Sequence, residues 1–513
     1  MRERLIGIDA GGTMTKAALF DLDGQELACE RRPNQMLFPG PGHTERDPDR
    51  MWQAACESIA SVLANTGTSP DDVLAVSCAG YGSGIYLTDR NGDPVRPGVV
   101  STDSRAADLV AEWEGNGRAG VTARRIQQRV WPGQAIALMA WFSKHEPETV
   151  ARTERVLFCK DFLRGRLCGD FSTDPTDAGI AGAIDVETGA YAREVFRDLG
   201  IASWLDVMPE IGPSAEVVGK VTQAAARQTG LKEGTPVVRG VADVAAAALA
   251  SGVVTSDRLS MIAGTFSINS TLHASPRLSV PPFLQMPYPI GGQVLATEGA
   301  ATSASNFEWF CREVLDAEAA RALSNGASVY DVCNDYVRDA LDRDNDILFL
   351  PYLFGGPGGA PAGLLGLKRS DKLGDVLRGI FEGIAYAHRV DIERLLSGYD
   401  AAKPTTIRLA GGASRSAIWA QIFADVLGLP VEVTDGTELG ARGVAIASAV
   451  AIGAYGDFET AISKMVRVRQ RWEPNVAQRD VHSRKYARFL GLTRALAREW
   501  PHQARSPAQP SHG

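Results

Sequence analysis

The run Asp9-Ala10-Gly11-Gly12-Thr13-Met14-Thr15-Lys16 sets a carboxylate, two glycines, a hydroxyl and an ammonium in close succession. Glycines carry no Cβ, so the backbone N–H groups of Gly11 and Gly12 can close on a phosphate, with the Thr13 hydroxyl as a further donor. Asp9 leaves an apolar strand and suits a Mg2+ ion reached through water, because Mg2+ takes oxygen ligands and keeps much of its hydration. Asp243 stands where a short β-rich run ends at Gly240 and an alanine-rich helix begins. An Asp there either caps the helix or, in a kinase site, accepts the proton of a substrate hydroxyl during phosphoryl transfer. Leu259–Ala263 followed by Gly264-Thr265 then repeats the opening pattern in the second half of the chain. Two such hairpins imply a duplicated fold.

These residues need strands and turns to place them. Residues 5–21 read as strand, small-residue turn and second strand, and Asp23-Gly24 turns into a third strand over Gln25–Glu30. A Rossmann or Walker loop needs a helix after its glycines, and neither of those spacings occurs at this turn. Residues 47–65 read as an amphipathic helix and Val73–Cys78 as a buried strand, after which Gly80-Tyr81-Gly82-Ser83-Gly84 either lines a ligand or forms a flexible turn. Asp103 and Arg105 follow another strand and either bind sugar hydroxyls or pair with each other. Trp131-Pro132-Gly133-Gln134 offers a ring face and an amide. Ser172–Ala178 has only the chemistry of turns and helix caps. His388 lies in a long helix pattern with nothing nearby to orient it. Gly411-Gly412 joins a strand to a helix, a place where a flat or anionic ligand can approach the backbone. Glu438–Ala445 opens a small-residue helix able to pack close to the preceding one, and the Pro- and Ser-rich tail from 501 reads as disordered.

Composition excludes several classes. The 513 residues carry 53 basic and 61 acidic side chains for a net charge of −8, with no basic cluster interleaved with aromatics, so nucleic acid is not an expected partner. No apolar run approaches the length of a membrane span, and the N-terminus starts in a strand pattern with no signal segment. Seven scattered cysteines without CxxC spacing fit reduced thiols, and the expected location is cytoplasmic.

In order and spacing, the motifs at 9–16, 240–243, 264–265 and 411–421 resemble the FGGY family of carbohydrate kinases over roughly residues 4–495. A second family signature runs from about Ala362 to Glu382, with Gly379 where Ala or Ser is usual. The resemblance implies an α/β protein of two duplicated actin-like (ribonuclease H-like) domains, 1–252 and 253–495, around a central catalytic cleft. It implies ATP and Mg2+ as cofactors, Asp243 as catalytic base and Asp9 at the metal. Gly11, Gly12, Thr13, Lys16, Gly264, Thr265, Gly411, Gly412 and Ser416 would contact the nucleotide. Gly12 stands where the family usually has Thr, which leaves a backbone contact there. Gly82, Ser83, Asp103, Arg105 and Trp131 would join Asp243 around the sugar. Within the family the chain is most similar to the L-xylulose kinase branch, through 11–13, Thr44–Asp47, Ser101–Ala106 and Ser305–Phe310. The erythritol, or small-polyol, branch is the nearest alternative, and an actin-like ATPase switch without a sugar is the alternative of another class. The expected partner is a small sugar or polyol, and a homodimer is compatible with the sequence.

Overall fold

The computed structural model describes residues 3–277, 280–324, 326–397 and 403–500; the tail expected from 501 lies outside them. The chain divides into two compact units. Unit 1 takes residues 1–255 and also 272–296 and 435–467, while unit 2 takes 256–271, 297–434 and 468–513.

Unit 1 is built on a six-stranded sheet of β1 (Arg4–Ala10), β2 (Met14–Asp21), β3 (Glu26–Pro33), β4 (Val73–Gly80), β5 (Val217–Lys220) and β6 (Pro236–Ala242). Their spatial order is β3-β2-β1-β4-β6-β5. The second sheet contains β7 (Arg258–Ala263), β8 (Ser267–His273), β9 (Val294–Ala300), β10 (Thr406–Ala410), β11 (Val431–Thr434) and β12 (Val468–Trp472). With a seventh, outermost strand (Leu284–Pro287) beside β9, these run in the order β9-β8-β7-β10-β11-β12. Strand senses repeat as well. β1 is antiparallel to β2 and parallel to β4, β4 is parallel to β6, and β6 is antiparallel to β5. Likewise β7 is antiparallel to β8 and parallel to β10, β10 is parallel to β11, and β11 is antiparallel to β12. One order of six strands occurs twice, as the two Gly-Thr hairpins predicted, and the second sheet adds an edge strand.

The helices that bear on the site are α1 (Pro48–Thr66), α2 (Cys159–Cys168), α3 (Pro175–Ile180), α4 (Asp243–Ala250), α5 (Ala304–Glu313), α6 (Ala417–Leu427) and α7 (Leu439–Ala451). None of the described helices is long and apolar enough to cross a membrane. Helix α1 starts where the Asp47 side chain accepts from the N–H groups of Asp49 and Arg50, and stops at left-handed Gly67.

Period-two alternation divides β1 between two cores. Ile6, Ile8 and Ala10 pack with Met51, Ala55 and Ile59 of α1. On the opposite face Leu5 joins Ala18, Phe20 and the small residues of α4 and α7. Gly7 and Asp9 share the Leu5 face, and there the helix backbone comes so near that a Cβ on Gly7 would sit 2.0 Å from the Ala441 carbonyl oxygen. Further along α7, a Cβ on Gly443 would sit 2.1 Å from the Ala246 carbonyl oxygen of α4. The small residues of α7 therefore serve β1 and α4; the sequence pattern pointed instead to the preceding helix.

Adding a methyl at either contact forces backbone apart from backbone. Gly7→Ala and Gly443→Ala are each expected to lose about 1–3 kcal/mol in urea unfolding. A loss below about 0.5 kcal/mol, the size of a neutral surface change, would refute this packing.

Candidate functional site

Strands β1 and β2 set Asp9 directly opposite Lys16, so the two side chains share a face. Lys16 Nζ lies 2.8 Å from Glu438 Oε2, and Arg31 pairs with the other Glu438 oxygen. Glu438 precedes α7, and Gly440 leaves the space Asp9 needs: a Cβ there would be 2.5 Å from Asp9 Oδ2. Burial pushes the Asp9 carboxyl up to about 6, with Lys16 pulling down and Glu438 pushing up. Burial also acts to raise Glu438, but its ion pairs with Lys16 and Arg31 outweigh this and hold it below the usual range. Asp9 Oδ1 is buried without a hydrogen-bond partner. A carboxylate oxygen enclosed by protein and lacking a donor matches the chemistry of a hard cation such as Mg2+. Among the described residues no group of three or more His, Cys, Asp or Glu side chains is placed to hold a metal.

The turn after Asp9 is tied from behind. Gly11 O accepts from Asn34 Nδ2 at 2.9 Å and Arg46 Nη2 at 3.0 Å, Gly12 O accepts from the same Arg46 nitrogen, and Thr13 O accepts from Asn34 N at 2.8 Å. The Gly11 N–H, which the sequence offered to a phosphate, closes the turn on Met14 O at 3.0 Å. The N–H groups of Gly12 and Thr13 have no acceptor among the described residues, and both residues are exposed.

Asp243 is the first residue of α4 and does not cap it; Ala242 holds the cap position. Its Oδ1 accepts from Val244 N at 2.7 Å. Burial first, then the neighbouring charge of Asp9, push its carboxyl up to about 7, against the backbone N–H groups of Val244 and Gly82. The strand reaches this point through Gly240, whose φ of +88 and contact with Cys78 O (2.1 Å from an added Cβ) admit no side chain. A shift in β6 register between Val238 and Val241 marks the same place.

Residues that sequence reasoning passed over hold this strand end. Thr176 Oγ1 accepts from Ala242 N at 2.8 Å and donates to Asp174 Oδ2 at 2.7 Å. Lys160 Nζ, fully buried, lies 2.6 Å from Asp161, 3.0 Å from Asp174 and 3.1 Å from Asp177. Arg164 donates to the Arg239 carbonyl at 2.8 Å. Burial, opposed by Lys160 but reinforced by Asp161 and Asp174, keeps Asp177 well above the carboxylate range. The only trace of this in the sequence is the run of Ser, Thr and Asp over 172–178, which read as caps; Asp174 does cap α3.

Among the sugar candidates, Asp103 and Arg105 form a buried ion pair, with contacts of 2.9 Å from Nε and Nη2 to the two carboxylate oxygens. Thr44 N takes Asp103 Oδ2 at 2.6 Å, and Arg105 Nη2 also reaches Glu45 at 2.6 Å. Of the two readings of this pair, the structure contains the ion pair. Gly82 is packed on Ile180 and Ser83 has a φ of +65, so the loop is tight where the sequence allowed a flexible turn. The Ser83 hydroxyl donates to Gly133 O and accepts from Ala135 N, both at 3.1 Å. Beside it, both amide atoms of buried Gln134 lack a partner. Trp131 is half-buried with its ring 5.2 Å from that of Phe283.

In unit 2, Gly264 O accepts from Ala304 N at 2.9 Å and Thr265 O from Ser305 Oγ at 2.7 Å, which holds this turn by the start of α5. Gly411, with φ +84, presses on it, since a Cβ there would lie 2.6 Å from Ala263 O and 3.0 Å from Gly264 N. Gly412 faces open space. Ser416 caps α6 and donates to Asn334 at 2.6 Å. His388 is buried between Ser303 and Asn269 at 3.0 Å each.

The chain belongs to the FGGY family of carbohydrate kinases: residues 4–250 match its N-terminal domain and 259–452 its C-terminal domain. It is therefore a sugar kinase, a phosphotransferase of a family that draws on ATP. It is 30% identical to the L-xylulose/3-keto-L-gulonate kinase of Escherichia coli (strain K12), with 97% of this chain and 98% of that protein covered. It is 26% identical to the autoinducer-2 kinase of Enterobacter sp. (strain 638), covering 93% and 92%. The crystal structure of xylulose kinase from Rhodospirillum rubrum superposes with a TM-score of 0.85 at 26% identity, covering 97% of this chain and 100% of that one. Actin-like two-domain architecture is thus shared across the family and this chain.

Raised carboxylates make stability depend on pH in a defined direction. With folded values of about 6 for Asp9 and about 7 for Asp243, the folded chain binds protons that the unfolded chain releases. This stabilisation is present at low pH and lost as pH rises through that window. Unfolding free energy should fall between about pH 4 and pH 7, and Asp243→Asn should be more stable than the parent above that window by about 1 kcal/mol or more. A variant less stable than the parent at both ends would contradict the assignment.

Proposed function

We propose that the chain transfers the γ-phosphoryl group of ATP to a terminal hydroxyl of an open-chain pentulose resembling L-xylulose. The observation that carries this is Asp243, a carboxylate raised to about 7 beside Asp9, whose Oδ1 has no partner. A base near neutral pH is matched to taking a proton from a sugar hydroxyl as it attacks. Mg2+, held beside Asp9, would supply charge neutralisation at the phosphates. The free N–H groups of Gly12 and Thr13 would donate to phosphate oxygens, as preorganised dipoles that need no reorganisation. Lys16, tied to Glu438, lends its charge to this side of the site. Gly264, Thr265, Gly411, Gly412 and Ser416 are assigned to the nucleotide. The sugar falls to Asp243, the Gly82 backbone, Trp131 and the unpartnered Gln134 amide, while Ser83, Asp103 and Arg105 hold the loops that carry them.

Identity of 30% to an L-xylulose/3-keto-L-gulonate kinase supports a pentulose. The test is ADP release on a panel of D- and L-pentuloses, pentitols, erythritol and glycerol, with Asp243→Ala alongside. Turnover on an L-pentulose is expected, falling at least about 1,000-fold in the variant while ADP still binds. Preference for erythritol would move the substrate to the polyols. ADP release independent of any sugar and surviving in the variant would discard the kinase reading in favour of an ATPase switch.

A further inference from the structure

We propose that Arg46 is a positioning residue that charges the first phosphate turn for its anion, an assignment that rests on the phosphoryl-transfer reading of that turn. Arg46 is 2% exposed, and no carboxylate lies within ion-pair distance of it among the described residues. Both flanking acids are engaged elsewhere: Glu45 with Arg96 and Arg105, Asp47 at the N-terminus of α1. Its partners are the carbonyls of Gly11 and Gly12, the Met51 sulfur at 3.5 Å and the Tyr81 ring at 5.1 Å, and its Nε has none. Burial keeps the surrounding Tyr81, Tyr86 and Cys159 protonated and therefore neutral. A guanidinium taken from water without a counter-ion is costly, so its retention calls for an anion from outside.

Peptide geometry says where that anion sits. In a trans peptide the C=O and N–H point opposite ways. Arg46 pulls the Gly11 and Gly12 carbonyls inward, which turns the N–H groups of Gly12 and Thr13 outward, where both are free. The corresponding turn of unit 2 has its carbonyls held in the same way, yet by neutral donors, Ala304 N and Ser305 Oγ. Fixing such a turn needs no cation. The charge at Arg46 is thus free to act on the ligand, through the two aligned peptide dipoles.

The experiment uses the full chain with Mg2+, titrating ADP by calorimetry without sugar and measuring KM for ATP and for the sugar separately. Arg46→Gln removes the charge and should weaken ADP and raise KM for ATP about 10- to 100-fold, with KM for the sugar within about twofold. Arg46→Lys keeps the charge but spans one carbonyl, and should fall between, about 3- to 10-fold weaker than the parent. Thermal unfolding establishes which variants fold. ADP affinity equal to the parent's in a folded variant overturns the proposal, as does an equal rise in both KM values. Should Arg46→Gln not fold, Arg46→Lys decides by the same criterion. A parent chain that binds no ADP and turns over no sugar would instead sink the kinase reading, with Arg46 falling alongside it.

Discussion

Two backbones meet in unit 1 with no side chain between them, and the site depends on that meeting. Helix α7 lies against β1 at Gly7 and against α4 at Gly443, so close that a single methyl at either glycine would enter a carbonyl oxygen. Because the helix starts at this depth, Glu438 reaches Lys16 and Gly440 lies against the Asp9 carboxylate. Because the same helix packs on α4, the first residue of α4, Asp243, is brought within electrostatic reach of Asp9. Larger residues on α7 would bury more apolar surface and would push three charged groups apart.

Charge is distributed unevenly around this contact. Glu438 is ion-paired and held below its usual range, whereas Asp9 is drawn down only by Lys16, already shared, and Asp243 is pushed up by burial and by Asp9. Nearby, Lys160 meets three carboxylates, of which Asp161 also pairs with Arg164 and Asp177 is held well above the usual carboxylate range by burial. Arg46, in contrast, has no carboxylate within ion-pair distance among the described residues. Buried ion pairs join Asp103 to Arg105 and Lys160 to Asp161, Asp174 and Asp177, while the N–H groups of Gly12 and Thr13 have no acceptor among the described residues.

Sequence pattern exposed the hairpins, the duplicated order and the positions of Asp9 and Asp243, because each rests on short-range signals: alternation, glycine at a turn, an Asp before an alanine-rich helix. Gly240 was legible as part of a motif, and its left-handed φ supplies the reason. What the pattern did not disclose is long-range. Nothing near Glu438 marks Lys16 as its partner, nothing near Arg46 points to the Gly11 carbonyl, and the Asp-rich run at 172–178 reads as ordinary capping until Thr176 is seen to hold Ala242. Asp103 and Arg105 show the converse. Their types suit a sugar, and only the structure shows that they also pair with one another and that Arg105 reaches Glu45, with its Nη1 left without a partner.

Assigning residues 435–467 to unit 1 also has a bearing on synthesis. A domain made of one continuous stretch can fold while the ribosome is still at work on the next. Here the sheet is complete at Ala242, but α7, which closes one of its faces, is nearly 200 residues further on. At about 5–20 residues per second that separates sheet from cover by roughly 10–40 s. During this interval the apolar face of β1 around Leu5, with Ala18 and Phe20, waits for its last partner. The nascent chain therefore holds a half-covered sheet for much of its time on the ribosome, and Asp9 and Asp243 come under α7 only near the end of translation.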